Sequence, residues 1–137
     1  MRFEHVALNV PDPREMARWY AESLGFRILR QSDTGACTHF LGDDSGRVCL
    51  ELYRNPTAPI PDYAAQPPLV FHFAVATADT KNLSARLVAA GASLLVEETL
   101  PDGSVLAMLR DPWGVALQLC QRSTPFPDTL PTTAERM

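Results

Sequence analysis

Four polar residues stand at matched places in two apolar, strand-like stretches of this chain: His5 with Glu51, and His72 with Gln118. His5 and His72 are 67 positions apart, and the same offset separates Glu51 from Gln118, so one arrangement occurs twice. Imidazole nitrogen and carboxylate oxygen are ligands for divalent transition metals. Two histidines and one carboxylate leave coordination positions open for water or substrate, and the Gln118 amide oxygen offers a weaker fourth ligand. An ion held this way polarises a substrate oxygen. Glu51, if it leaves the ion, is then placed to move a proton at the neighbouring carbon as a general base. A lone histidine on a strand is more often a hydrogen-bonded structural residue. Four residues in register shift the balance toward a metal site, because burying a carboxylate and two imidazoles without partners is costly.

The elements that must position these residues also repeat. Residues 3–10 (FEHVALNV) alternate as a strand. Asp12 then opens a helical pattern that ends at Gly25. Strand-like runs follow at 26–31, 36–41 and 47–54. The second copy opens at 69–76 (LVFHFAVA), has Asp79 as N-cap and a helical pattern over 83–90 ending at Gly91, and continues with runs at 93–99, 104–109 and 115–121. Asp12 and Asp79, and Leu52 and Leu119, share the 67-residue offset. Each half therefore reads β-α-β-β-β. Alternation puts Val6, Leu8, Val10, Leu50 and Leu52 on a face that a helix can cover, and His5, Ala7, Glu51, His72, Ala74 and Gln118 on the other. The expected fold is α+β: two tandem βαβββ modules, at about 3–54 and 69–122, forming a curved mixed sheet with a metal-capable cavity. Both belong to a single domain over 1–137. The proline-rich segment 55–68 is the expected linker, running over the surface, and 123–137 an irregular tail outside the core.

Several other residues are weighed against plainer roles. His39 can line or rim the cavity, but a spectator role is the better reading. Cys49 and Cys120 share the face of Glu51 and Gln118, where a thiol is a soft ligand or, more commonly, a small hydrophobe. Trp19 and Tyr20 read as core packing. Arg110 and Arg122 border the last strand, as solvated ends or as partners of an anionic substrate. Asp111, Pro112, Trp113 and Gly114 read as a tight turn, with Trp113 at a surface or interface.

Composition removes other classes. The chain is 46% hydrophobic and 20% charged, as a globular protein is. A net charge of −4 without a basic run argues against nucleic acid. No stretch nears the ~20 apolar residues of a membrane helix, and no signal peptide is read at the N-terminus. Three scattered cysteines read as free thiols, so a cytoplasmic location is expected. There is no GxGxxG, P-loop or GxSxG.

Four segments in this order, EHVALNVPDPREMARWYAESLGF, CLELY, FHFAVATAD and LRDPWGVALQL, resemble the glyoxalase/bleomycin resistance/dioxygenase (vicinal oxygen chelate) superfamily over about residues 3–122. The resemblance implies a metal pattern of His on the first strand, Glu on the fourth, His on the fifth and an acid or amide on the eighth: His5, Glu51, His72 and Gln118. The last position is often Glu in that family and is Gln118 here. The implied activity is a metal-dependent lyase or isomerase of glyoxalase type, acting on a small oxygenated metabolite with Ni, Zn, Mn, Co or Fe and with Glu51 as catalytic base. The same resemblance admits an Fe(II) ring-cleaving dioxygenase and a metal-free drug-binding protein. Sheet edges that need cover, together with the family's habit of pairing modules, imply a homodimer.

Overall fold

Local signals at the ends of both helices are satisfied. In the computed structural model, which describes residues 1–130, Asp12 accepts a hydrogen bond from the Glu15 amide at 3.1 Å and Pro13 opens α1 (Pro13–Leu24). Gly25 closes that helix at φ +71°, where a residue without Cβ carries no strain. Asp79 caps α2 (Thr80–Ala89) in the same way, accepting from Asn82 at 3.0 Å. The second helix starts three residues before its apolar pattern, because Thr80, Lys81 and Asn82 supply a first turn without an apolar side chain.

The chain falls into two compact units, Met1–Pro61 and Asp62–Met137. The first holds β1 (Val6–Asn9), α1, β2 (Arg27–Gln31), β3 (His39–Gly42) and β4 (Val48–Tyr53). The second holds β5 (Phe73–Ala76), α2, β6 (Ser93–Thr99), β7 (Val105–Arg110) and β8 (Ala116–Gln121). The expected mixed sheet takes the form of two four-stranded sheets, ordered β1-β4-β3-β2 and β5-β8-β7-β6. In each, the first strand runs parallel to the fourth and the remaining pairs are antiparallel. The 67-residue offset is a register: Ala7 pairs with Glu51, and Ala74 pairs with Gln118. Even the irregularity repeats, as the second strand of each unit slips between Ile28 and Arg30 and between Leu94 and Val96.

The helix-covered face of the first unit buries Leu50 and Leu52 against Met16, Ala17 and Tyr20. Tyr20 is fully buried and Trp19 half-buried, edge-on to it at 5.0 Å. Leu109, Leu117, Leu119 and Leu87 are the corresponding core of the second unit. His39 pairs with Leu52 and therefore shares its face, on the side of the sheet opposite Glu51, with 1% of its surface exposed. It does not line the Glu51 face.

The connector is held rather than loose, and each unit holds its own part. Asn9, on the same strand face as Ala7 by alternation, donates to the carbonyls of Asn55, Ala58 and Pro59 and accepts from the Asn55 amide. In the second unit the connector forms a short 3-10 turn, Tyr63–Ala65. Arg110 donates to the carbonyls of Tyr63, Gly114 and Gln66 at 3.0, 3.0 and 2.8 Å. This corrects both expectations for Arg110: its guanidinium is a structural clamp, neither a solvated strand end nor a substrate contact. The turn at Asp111 forms as expected, with its carboxylate accepting from Trp113 and Val115, both at 2.9 Å, and Gly114 at φ +90°. Trp113 is half-buried. Residues 123–130 contain no helix or strand, and the rest of the expected tail, 131–137, lies outside the described residues. No helix among the described residues is long and apolar enough to cross a membrane.

Candidate metal centre

His5 sits one residue ahead of β1, and Glu51 lies within β4. The parallel pairing of Ala7 with Glu51 puts both side chains on the face away from α1. His5 Nε2 lies 2.9 Å from Glu51 Oε2, and His5 Nδ1 lies 2.8 Å from Glu4 Oε1. The two side chains are 28% and 20% exposed, so the pair is partly withdrawn from water yet open on one side. Phe40, paired with Glu51, presents its ring edge-on to His5 at 5.8 Å. A neutral imidazole carries one proton and cannot donate to two carboxylates at once. The arrangement therefore needs either a second proton or a cation in place of the Nε2 proton. A carboxylate on Nδ1 with a cation on Nε2 is the support that histidine metal ligands ordinarily have. The donor set thus fits a divalent ion.

His72 holds the same place ahead of β5, and Ala74, two residues on, pairs with Gln118. His72 Nδ1 lies 2.9 Å from the Pro68 carbonyl oxygen. That oxygen can only accept, so Nδ1 carries the proton and Nε2 keeps its lone pair for a ligand. Gln118 is half-buried, and its Oε1 accepts from the Cys120 thiol at 3.4 Å. The structure thus brings His5 to Glu51 in the first unit and gives His72 and Gln118 the corresponding register in the second. The two thiols on these faces are held protonated. Burial and the nearby Asp43 carboxylate push Cys49 up to about 11. Burial also raises Cys120, with the Arg122 charge opposing it. Neither offers a thiolate near neutral pH.

One cluster carries no sequence signal. Asp33, Cys37 and His39 bring ligand-type atoms within 4.8 Å of one another around the β2–β3 hairpin. Of these only His39 stood out in the sequence, because the intervening residues have no ligand spacing. Asp33 is already paired with Arg14 at 2.9 Å, and His39 Nδ1 donates to the Cys37 carbonyl at 2.8 Å. Cys37 itself adopts φ +52°.

A family model described as the Glyoxalase/Bleomycin resistance protein/Dioxygenase superfamily matches residues 2–119. The chain belongs to that superfamily. The lactoylglutathione lyase of Arabidopsis thaliana is 30% identical over 135 residues, which are 92% of this chain and 46% of that protein. The putative lactoylglutathione lyase of Brassica oleracea var. gemmifera is 29% identical over 94% of this chain and 47% of its own length. The chain therefore spans about half the length of the curated relatives it matches. Glyoxalase I from Zea mays has a TM-score of 0.70 at 25% identity, over 90% of this chain and 45% of that one.

Proposed function

We propose that the chain is a metal-dependent lyase of glyoxalase type whose two units act as one domain. His5, Glu51, His72 and Gln118 hold a divalent ion (Ni, Zn, Mn, Co or Fe), and Glu51 is the catalytic base. The observation that carries this reading is the His5 ring, with a carboxylate oxygen within 2.9 Å of each nitrogen. The repeat of the same register at His72 and Gln118 supports it. When bound, the ion supplies Lewis-acid polarisation of a substrate oxygen. Glu51 takes the proton from the carbon beside that oxygen and returns it to the adjacent carbon, so atoms are rearranged without an external oxidant. Glu4 and the Pro68 carbonyl keep the two imidazoles in the tautomer that presents Nε2. Phe40 shields one side of the first pair. The relatives' name, lactoylglutathione lyase, suggests the adduct of a small dicarbonyl compound with glutathione, isomerised to a thioester, as the first substrate system to try. The outer strands leave Leu94, Leu95 and Val96 of β6 exposed, which supports pairing with a second copy. Cytoplasmic location remains part of the proposal, in keeping with the free thiols of all three cysteines.

The test is turnover of methylglyoxal with glutathione by protein reconstituted separately with each of the five metals. Thioester formation that disappears in Glu51→Gln supports the proposal, and no turnover with any metal overturns it. A second reading, binding without chemistry, is favoured by Gln118, an amide where the pseudo-equivalent position has a carboxylate. It predicts ligand affinity without turnover.

A further inference from the structure

The second unit contains a cavity of about 140 Å³ that the metal site does not account for. It opens on the Gln118 face, because Ala74 pairs with Gln118 and Ala76 pairs with Cys120. Ala74, Ala76 and Cys120 line its sheet side, and Arg122, Phe126 and Leu130 line the side of the following segment. That segment is tied to the residue ahead of β7 by one bond and tightened by a local one. The Ser123 amide donates to Ser104 Oγ at 3.0 Å, and the Thr129 hydroxyl donates to the Phe126 carbonyl at 2.7 Å.

The lining is mostly apolar; its charged group is Arg122, and the Thr129 hydroxyl is spent on the Phe126 carbonyl. The Arg122 guanidinium lies over the Phe126 ring, 4.8 Å from its centroid, a contact that orients the fork without neutralising it. Among the described residues no carboxylate forms an ion pair with Arg122. A positive charge beside an apolar hollow selects a ligand with one negative group and one apolar group. Size narrows the choice, since an apolar cavity of roughly 150 Å³ accepts a benzene ring. At the 67-residue offset, Ala76 and Cys120 correspond to Asn9 and Tyr53, so the first unit has larger side chains at the two equivalent positions.

We propose that this cavity binds a small organic carboxylate bearing one ring-sized apolar group, with Arg122 taking the carboxylate and Phe126 forming the outer lip. Because the Cys120 thiol donates to Gln118, the cavity floor adjoins a proposed metal ligand. Within the proposed function it would receive the carboxylate-bearing, apolar part of the substrate, and that extension rests on the metal reading. The binding itself does not.

The experiment uses the full chain treated with EDTA and two probes of one shape, 3-phenylpropionate and its neutral amide. Affinities are measured by calorimetry on wild type, Arg122→Gln and Arg122→Lys, with thermal melts to check folding. Wild type is expected to bind the acid at least tenfold more tightly than the amide. Arg122→Gln should erase that preference, and Arg122→Lys should restore part of it. Equal binding of acid and amide by wild type, binding of neither, or an unchanged preference in Arg122→Gln overturns the proposal. Metal uptake is titrated separately with Zn and Ni after the EDTA is removed, and a preserved acid preference in protein that then binds neither overturns the metal reading alone. Metal uptake without acid preference overturns this inference alone.

Discussion

The two units are the same fold with different residues on the open face. Both have a βαβββ order, a parallel first and fourth strand and a slip in the second strand. Where they differ is at equivalent positions on the open face. The first unit has Glu51 and anchors its histidine to the Glu4 carboxylate; the second has Gln118 and anchors its histidine to a backbone carbonyl. At the equivalent positions the first unit has Asn9 and Tyr53, while Ala76 and Cys120 line a cavity in the second. Register was kept while charge and side-chain size diverged at these positions.

The largest effect expected from that contrast is on metal affinity. Glu51→Ala should weaken binding of a divalent ion about 100-fold or more, because a full charge is lost at a partly desolvated site. Gln118→Ala should cost less than about tenfold, since only a dipole is lost, and Gln118→Glu should raise affinity. Equal losses in the two alanine variants, read by calorimetry, would remove the charge asymmetry between the units.

Next in size is a backbone contrast. A Cβ on Gly114 would lie 2.7 Å from the Ala64 amide nitrogen at φ +90°, whereas one on Gly46 of the first unit would meet nothing within 4 Å at φ +76°. Gly114→Ala should therefore lose about 2–4 kcal/mol of stability in denaturant melts. Gly46→Ala should lose about 1–2 kcal/mol, from the left-handed conformation alone. Similar losses would mean that the connector contact at Ala64 gives way easily.

Smaller still is the support under His5. Glu4→Gln keeps the shape and removes the charge on Nδ1, and should weaken metal binding about tenfold. An unchanged affinity would leave Glu4 as a surface residue only. The mildest effect concerns pH. Cys49 in the folded protein ionises near 11, above the ordinary thiol value of 9.0. The unfolded chain therefore loses this proton first as pH rises. The stability tied to the neutral thiol is complete below about pH 9 and is lost between pH 9 and about 11. Alkylation of Cys49 should be slow at pH 8, and melts of Cys49→Ala should show less of this alkaline loss than wild type.

Much of this was legible from the order of residues because the signals were local or periodic. Asp12 and Asp79 announced their helices by capping chemistry, Gly25 ended one by its left-handed conformation, and the offset from Glu51 to Gln118 foretold the register. The apolar alternation of Leu50 and Leu52 likewise named the buried face. What could not be read depended on contacts distant in sequence. Asn9 and Arg110 looked like face or end residues, yet they spend their donors on connector carbonyls 44 to 50 positions away. His39 could not be assigned a face until its pairing with Leu52 was known. Asp33 and Cys37 reach His39 only through the turn of a hairpin. The cavity was hidden because its outer wall comes from a segment without periodicity, around Phe126 and Leu130.

Metal stoichiometry is the most direct check on the proposal that both units serve one metal ion. Wild type, His5→Ala, His72→Ala and His39→Ala are to be titrated with Zn and Ni by calorimetry, with metal content checked by elemental analysis. The account predicts one ion per chain in wild type, comparable losses of affinity in His5→Ala and His72→Ala, and no change in His39→Ala. Loss confined to His39→Ala would move the metal to the Asp33 and Cys37 cluster. Absence of binding in wild type would contradict the account outright.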